Sequence, residues 1–104
     1  MNPTEALNGL DPALEHRVRL AICVLLSRTD AVSFSRFKEL LDQTDGNLGA
    51  QLRRLEDEGY VALKREFADR KPVTWYSLTA RGRSALRAHV RGIEGLLKID
   101  GQRL

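Results

Sequence analysis

The segment Thr44–Val61, TDGNLGAQLRRLEDEGYV, constrains this chain more than any other. Leu48, Leu52 and Leu55 recur at i, i+4 and i+7, which places three large apolar side chains on one stripe of a helix. At about 100° per residue, Gly46, Ala50, Arg53 and Asp57 fall on the opposite side, flanked by Asn47, Gly49 and Arg54. Small residues on that side let a backbone come close to another surface, and Asn and Arg supply hydrogen bonds and positive charge. A helix that reads base edges in a DNA major groove needs such a face. An ordinary amphipathic helix with a solvated outer side has the same pattern, so the flanking chain has to decide between them.

Upstream, residues 1–10 read as a flexible leader, with Leu7 and Leu10 able to dock on a neighbour. Asp11-Pro12 reads as a cap followed by proline in the first helical turn, opening a helix that runs to about Arg28. Leu14, Val18, Ala21, Ile22 and Leu25 form its main apolar stripe, and Ala13, Leu20 and Val24 form a second. Two apolar stripes on a peripheral helix point to a second copy of the chain. Val32-Ser33-Phe34 reads as a short extended segment. Ser35 then caps a helix from Arg36 to about Leu41, with Phe37, Leu40 and Leu41 facing inward. Gln43-Thr44 turns into the leucine-striped helix, which Thr44 or Asp45 caps. Two helices joined by so short a turn form a helix-turn-helix.

Downstream, Gly59 stands where a helix ends most easily in the left-handed conformation. Tyr60–Phe67 and Val73–Leu78 then read as the strands of a hairpin, with Ala68–Pro72 as its basic tip. Trp75 and Tyr76 alternate, so one faces the core and the other faces outward. Thr79 caps a last helix from Ala80 to about Leu97. Leu86, Val90, Ile93 and Leu97 share its main stripe, which Ala85, His89, Gly92 and Leu96 widen. Residues 98–104 are read as a tail that frays. The domain proper is 11–97, and the class is α+β, mostly helical: a three-helix core with a two-stranded β wing and a C-terminal dimerisation helix.

Composition narrows the function. At 42% hydrophobic and 30% charged residues the chain is an ordinary soluble globular protein. It has no apolar run of membrane-spanning length, MNPTEALNGLD does not read as a secretory signal, and the lone Cys23 fits a reducing compartment. A cytoplasmic location is expected. Net charge is +3, yet over residues 45–79 Arg53, Arg54, Lys64, Arg65, Arg70 and Lys71 cancel against Asp45, Glu56, Asp57, Glu58, Glu66 and Asp69. The excess lies in the last helix and tail, so local arrangement rather than bulk charge has to carry any DNA face. His16, Cys23 and His89 lack metal-ligand spacing, and no catalytic constellation appears. No enzyme activity, cofactor or metal is expected. Cys23 falls opposite the main stripe of its helix, partly exposed or at a subunit contact.

The order of elements, with GNLGAQLRRLEDEGYV at Gly46–Val61, DRKP at Asp69–Pro72 and YSLTARGRSAL at Tyr76–Leu86, resembles the small MarR/ArsR-like winged-helix transcriptional regulators. The likeness spans Leu14 to Leu97. It implies a homodimer built from the first and last helices, with the third helix in the major groove of double-stranded DNA. Carried over by position, Asp45, Gly46, Asn47, Gly49, Ala50, Gln51, Arg53 and Arg54 face the groove, and Arg70 and Lys71 lie over the backbone or minor groove. Many relatives carry Ser and Arg or His at the positions of Gly49, Ala50 and Gln51, so this chain offers fewer direct hydrogen bonds to bases. From its own placement near a helix start, Arg36 could reach a phosphate. The second apolar stripes assign Leu20, Val24, His89 and Leu96 to the dimer interface. A small-molecule effector, if one acts, has room only at that interface. The competing reading is a winged-helix protein-interaction module, which the neutral balance of residues 45–79 favours.

Overall fold

A computed structural model describes residues 1–104. Side-chain caps account for most of the helix starts. Asn2 accepts from the Glu5 amide at 2.8 Å and opens α1, Pro3–Asn8. Asp11 opens one 3-10 turn, Pro12–Leu14, and His16 Nδ1 accepts from the Val18 amide at 3.2 Å to open α2, Arg17–Leu26. Strand β1, Val32–Ser33, leads directly into α3, Phe34–Leu41. Thr44 caps α4, Asp45–Asp57, and Thr79 caps α5, Ala80–Leu97. Between them lies the hairpin of β2, Val61–Ala68, and β3, Lys71–Leu78. The strands form one antiparallel sheet in the order β1-β3-β2, with Val32 opposite Tyr76 and Val61 opposite Leu78. This is the α+β winged helix-turn-helix expected from the sequence. None of its helices is long and apolar enough to cross a membrane.

The core lies where α2, α3, α4 and the base of the hairpin meet. Leu48, Leu52 and Leu55 are fully buried there with Leu14, Ile22, Leu26 and Phe37. Each such side chain contributes roughly 1.5–3 kcal/mol by leaving water. Of the alternating aromatic pair, Tyr76 faces inward, its ring 6.4 Å from that of Phe37, and Trp75 sits half-buried on the outer face of the sheet.

A second junction sets the pose of α4. Its C-terminus closes as a Schellman motif: the Tyr60 amide donates to Leu55 O and the Gly59 amide to Glu56 O, both at 2.9 Å, with Gly59 at φ +79°. The start of α5 is docked on that turn. Thr79 Oγ1 accepts from the Gly82 amide at 2.9 Å and donates to Gly59 O at 2.6 Å. A Cβ on Gly82 would stand 2.2 Å from the Tyr60 carbonyl oxygen. The EGY and LT-x-x-G pieces of the sequence, some twenty residues apart, are the two halves of this one joint.

Several elements depart from expectation, each because a distant group competes with local preference. The first long helix is broken at Glu15-His16. Asp11 caps only the 3-10 turn, its other oxygen accepts from the Tyr60 hydroxyl, and its amide donates to His89 Nδ1 at 2.9 Å. Ala13 O is taken by Arg19 Nε at 2.7 Å instead of a helical amide. Ser33 rather than Ser35 caps α3, because pairing with Trp75 holds Ser33 extended up to the helix start. Leu40 faces solvent. Residues 3–8 of the supposed leader form a helix seated on α5, with Ala6 buried over Gly92 and Gly95. The tail includes one 3-10 turn, Gly101–Arg103, capped by Asp100. Cys23 is fully buried. Burial pushes its thiol up to about 12, with Asp11 adding to the shift, so no thiolate nucleophile exists near neutral pH.

Candidate nucleic-acid interface

With Leu48, Leu52 and Leu55 anchored in the core, the outer side of α4 is held rigidly toward solvent. Asp45, Gly46, Asn47, Ala50, Arg53 and Arg54 are exposed there, and Gly49 and Gln51 are half-buried. A Cβ built on Gly46 or on Gly49 would meet nothing within 4 Å. Packing inside the chain therefore requires glycine at neither place. Both leave room for a surface outside the molecule to approach the backbone.

The basic residues divide by engagement. Arg54 Nε is bound to Glu58 at 3.2 Å, Lys38 pairs with Asp45 at 2.8 Å, and Arg36 pairs with Glu39 at 3.1 Å. These are exposed pairs worth about 0–1 kcal/mol each, so exchanging a partner costs little. Arg53 makes no ion pair in the structure.

Hairpin register decides which wing residues share the side of α4. Val61, Leu63, Arg65 and Phe67 point to one face of β2, opposite Leu78, Tyr76, Thr74 and Pro72 of β3. Leu63 and Tyr76 close the core on this face. Beyond them Arg65 lines a cleft against α4 together with Gly49, Leu52, Arg53 and Glu56. Tyr76 reports the local field: burial raises its phenol pKa, Glu56 adds to this, and Arg65 and Arg53 oppose it. In the sequence Arg65 counts only toward the charge balance; counting by twos from Val61 puts it on the face of Leu63, and the packing of the hairpin on α4 brings it beside Arg53. Phe67 continues the same face toward the tip and is 75% exposed.

The tip is tighter than expected. Both strands extend to the turn, which consists of Asp69 and Arg70 alone, at φ 50° and 63°. Two successive left-handed residues are the geometry of a type I′ hairpin turn. Arg70 projects from this turn, and Lys71 is already the first residue of β3. Pro72 lies within β3 opposite Phe67. In a two-residue hairpin that pair is not hydrogen-bonded, so the ring nitrogen of Pro72 turns away from β2, toward an edge that β1 does not reach.

The amides on the face of α4 are ordered. Gln51 accepts from Arg19 Nη1 at 2.7 Å and donates to Asn47 Oδ1 at 3.1 Å; Asn47 Nδ2 donates to Gln43, and Gln43 Nε2 donates to Leu41 O at 3.0 Å. The Asn47 backbone amide is taken by the Thr44 cap.

The α5 residues sort differently from their expected stripes. Gly82, Leu86, His89 and Gly92 are the buried ones. Val90, Ile93 and Leu97, which the sequence placed on the inner stripe with Leu86, face solvent with Leu96, and Val24 of α2 is likewise exposed. The core reaches only the first half of α5, and α1 covers one side of the rest. His89, expected at a subunit contact, is only 3% exposed within its own chain, where it accepts from the Asp11 amide. Leu20 is half-buried against the core.

Comparison with known proteins agrees with this geometry. Residues 18–97 match the model of a winged helix DNA-binding domain. An uncharacterized protein of Methanocaldococcus jannaschii, MJ0432, is 35% identical over 81 residues, covering 78% of this chain and 88% of that protein. A transcriptional regulator homologue from Pyrococcus horikoshii superposes with a TM-score of 0.76 at 30% identity, covering 82% of this chain and 84% of the other. Sco3205 of Streptomyces coelicolor, a MarR family transcriptional regulator solved in complex with DNA, shares the fold with a TM-score of 0.65 at 19% identity, over 96% of this chain and 73% of its own. The chain belongs to the winged helix DNA-binding domain family, and its fold is that of the MarR-type transcriptional regulators.

Proposed function

We propose that the protein is a homodimeric, sequence-selective DNA-binding regulator of the cytoplasm, which lays α4 in the major groove and its wing on the backbone or minor groove. The observation that carries this reading is the face of α4 itself. Gly46 and Gly49 stand against open space beside the unpaired Arg53, with Arg65 across the cleft. Asp45, Asn47, Ala50, Gln51 and Arg54 complete the groove-facing set, and Arg36, Arg70 and Lys71 supply flanking positive charge. Glu56, Asp57 and Glu58 at the end of α4 oppose phosphate, so the first half of the helix enters the groove.

The exposed apolar row of Val24, Val90, Ile93, Leu96 and Leu97 supports the dimer. A two-fold axis would bring each copy of the row against its counterpart. His89 drops out of this interface, and Leu20 contributes only its edge. The protein-interaction alternative keeps one specific support, the charge balance of residues 45–79, sharpened by the Lys38–Asp45 and Arg54–Glu58 pairs.

Selection of bound sequences from random duplex DNA, followed by titration of the selected site against salt, separates the two readings. Recovery of an inverted repeat whose binding weakens steeply with salt is expected. Duplex binding without sequence preference, or none at low salt, would favour the protein partner. Sedimentation at tens of micromolar (about ten to a hundred times a micromolar Kd) should show a dimer, and a stable monomer would remove that part of the proposal.

A further inference from the structure

The amide relay on α4 is directional, and its direction is imposed from α2. Arg19 has only donors, so Gln51 must turn Oε1 toward it and Nε2 away. Nε2 then faces Asn47, which must present Oδ1, and the Asn47 amino group is left to face Gln43 Oε1. At the far end Leu41 O is a backbone acceptor, which requires the amino group of Gln43. Turning any one of the three amides would set donor against donor on one side and acceptor against acceptor on the other. Arg19 is itself clamped, since its Nε is committed to Ala13 O at 2.7 Å.

The relay uses one N–H and one lone pair of the exposed Asn47. One N–H and one lone pair remain. In the major groove adenine presents an acceptor, N7, beside a donor, the N6 amino group; guanine presents two acceptors and cytosine a donor. A carboxamide held with one donor and one acceptor free matches adenine. We infer that Arg19, half-buried on α2 behind Gln51, is a positioning residue that orients Asn47 through Gln51 and thereby selects adenine at one base pair of each half-site. This inference rests on the DNA-binding reading above.

The test compares sequence selection from random duplex DNA by the wild type, Asn47→Ala, Arg19→Met and Arg19→Lys. The Asn47→Ala profile identifies the position read by Asn47. There the wild type should prefer adenine by about tenfold. Arg19→Met should cut that preference to about twofold or less, leaving the other positions and the salt slope unchanged. Arg19→Lys, which keeps a donor, should restore it. Gln51→Met cuts the relay on the surface without touching the core and should reproduce the loss at Asn47's position even if Arg19→Met folds poorly. Unchanged adenine preference in both Met variants would overturn the inference. So would an equal loss at every position, which would make Arg19 a merely structural residue. A wild type that selects a sequence with no Asn47-dependent adenine refutes the inference alone; a wild type that binds no duplex refutes the DNA reading and the inference with it.

Discussion

Gly82 and Gly49 are helical glycines with opposite meanings. At Gly82 the backbone of α5 is pressed against the Tyr60 carbonyl, and a methyl group has nowhere to go. Around it the joint is closed: Thr79 bonds both Gly59 O and the Gly82 amide, and the Arg81 guanidinium lies 5.9 Å from the centre of the Tyr60 ring. At Gly49 the helix faces open space, beside an arginine with no carboxylate partner and across from Arg65. One region is satisfied from within, and the other is left unfinished. A glycine that the fold does not need, on a helix whose propensity it lowers by about 1 kcal/mol relative to alanine, points to a requirement outside the chain.

The largest expected effect tests this contrast directly. Gly82→Ala should destabilise the protein by about 3 kcal/mol or more, the upper range for overpacking against rigid backbone. Gly49→Ala should instead leave stability unchanged or raise it by up to about 1 kcal/mol, while weakening binding to the selected DNA site. Urea denaturation of both variants beside a binding titration checks the pair. If both glycines prove costly to folding, the outer face of α4 is not the unfinished surface described.

Within the unfinished region the arginines should rank by their freedom. Arg53→Ala should cost about 1–3 kcal/mol in binding to the selected site. Arg54→Ala should cost less than about 1 kcal/mol, because that side chain must first release Glu58. Fluorescence anisotropy on one labelled duplex gives both values, and the reverse order would mean that the acidic end of α4 meets the DNA.

The smallest effect on folding is expected at the wing. Arg70 occupies a left-handed position that glycine adopts freely, so Arg70→Gly trades local strain for extra freedom in the unfolded chain. Stability should stay within about 0.5 kcal/mol of wild type. The salt slope of DNA binding should nonetheless become shallower, by roughly one lost phosphate contact per subunit. A slope identical to wild type would place the wing tip off the DNA.

The outcome at each element depended on how far away its deciding partner lies. The leucine stripe of α4, the Thr44 and Thr79 caps, the exit at Gly59 and the strand character of Val73–Leu78 were legible because each follows from neighbours within a turn or a strand pair. The same locality carried the winged-helix order and the outward face of Arg53. Local pattern therefore suffices for the order of elements from α3 to α5 and for the surface that α4 presents.

Tertiary structure decided what competes with those local rules. Asp11 could cap a long helix, but Tyr60 and His89 hold it from 49 and 78 residues away, and the helix restarts at His16. By apolarity alone Val90, Ile93 and Leu97 of α5 would be buried with Leu86, and only the seating of α1 on Gly92 and Gly95 and the limited reach of the core show that they stay exposed. Arg65 needed the register of the hairpin, and Arg19 needed the approach of α2 to α4, 32 residues along the chain, before either could be tied to the face of α4. Periodicity records which side of an element is apolar. What that side or its neighbours will meet depends on the closure of the chain, and no window of adjacent residues contains that information.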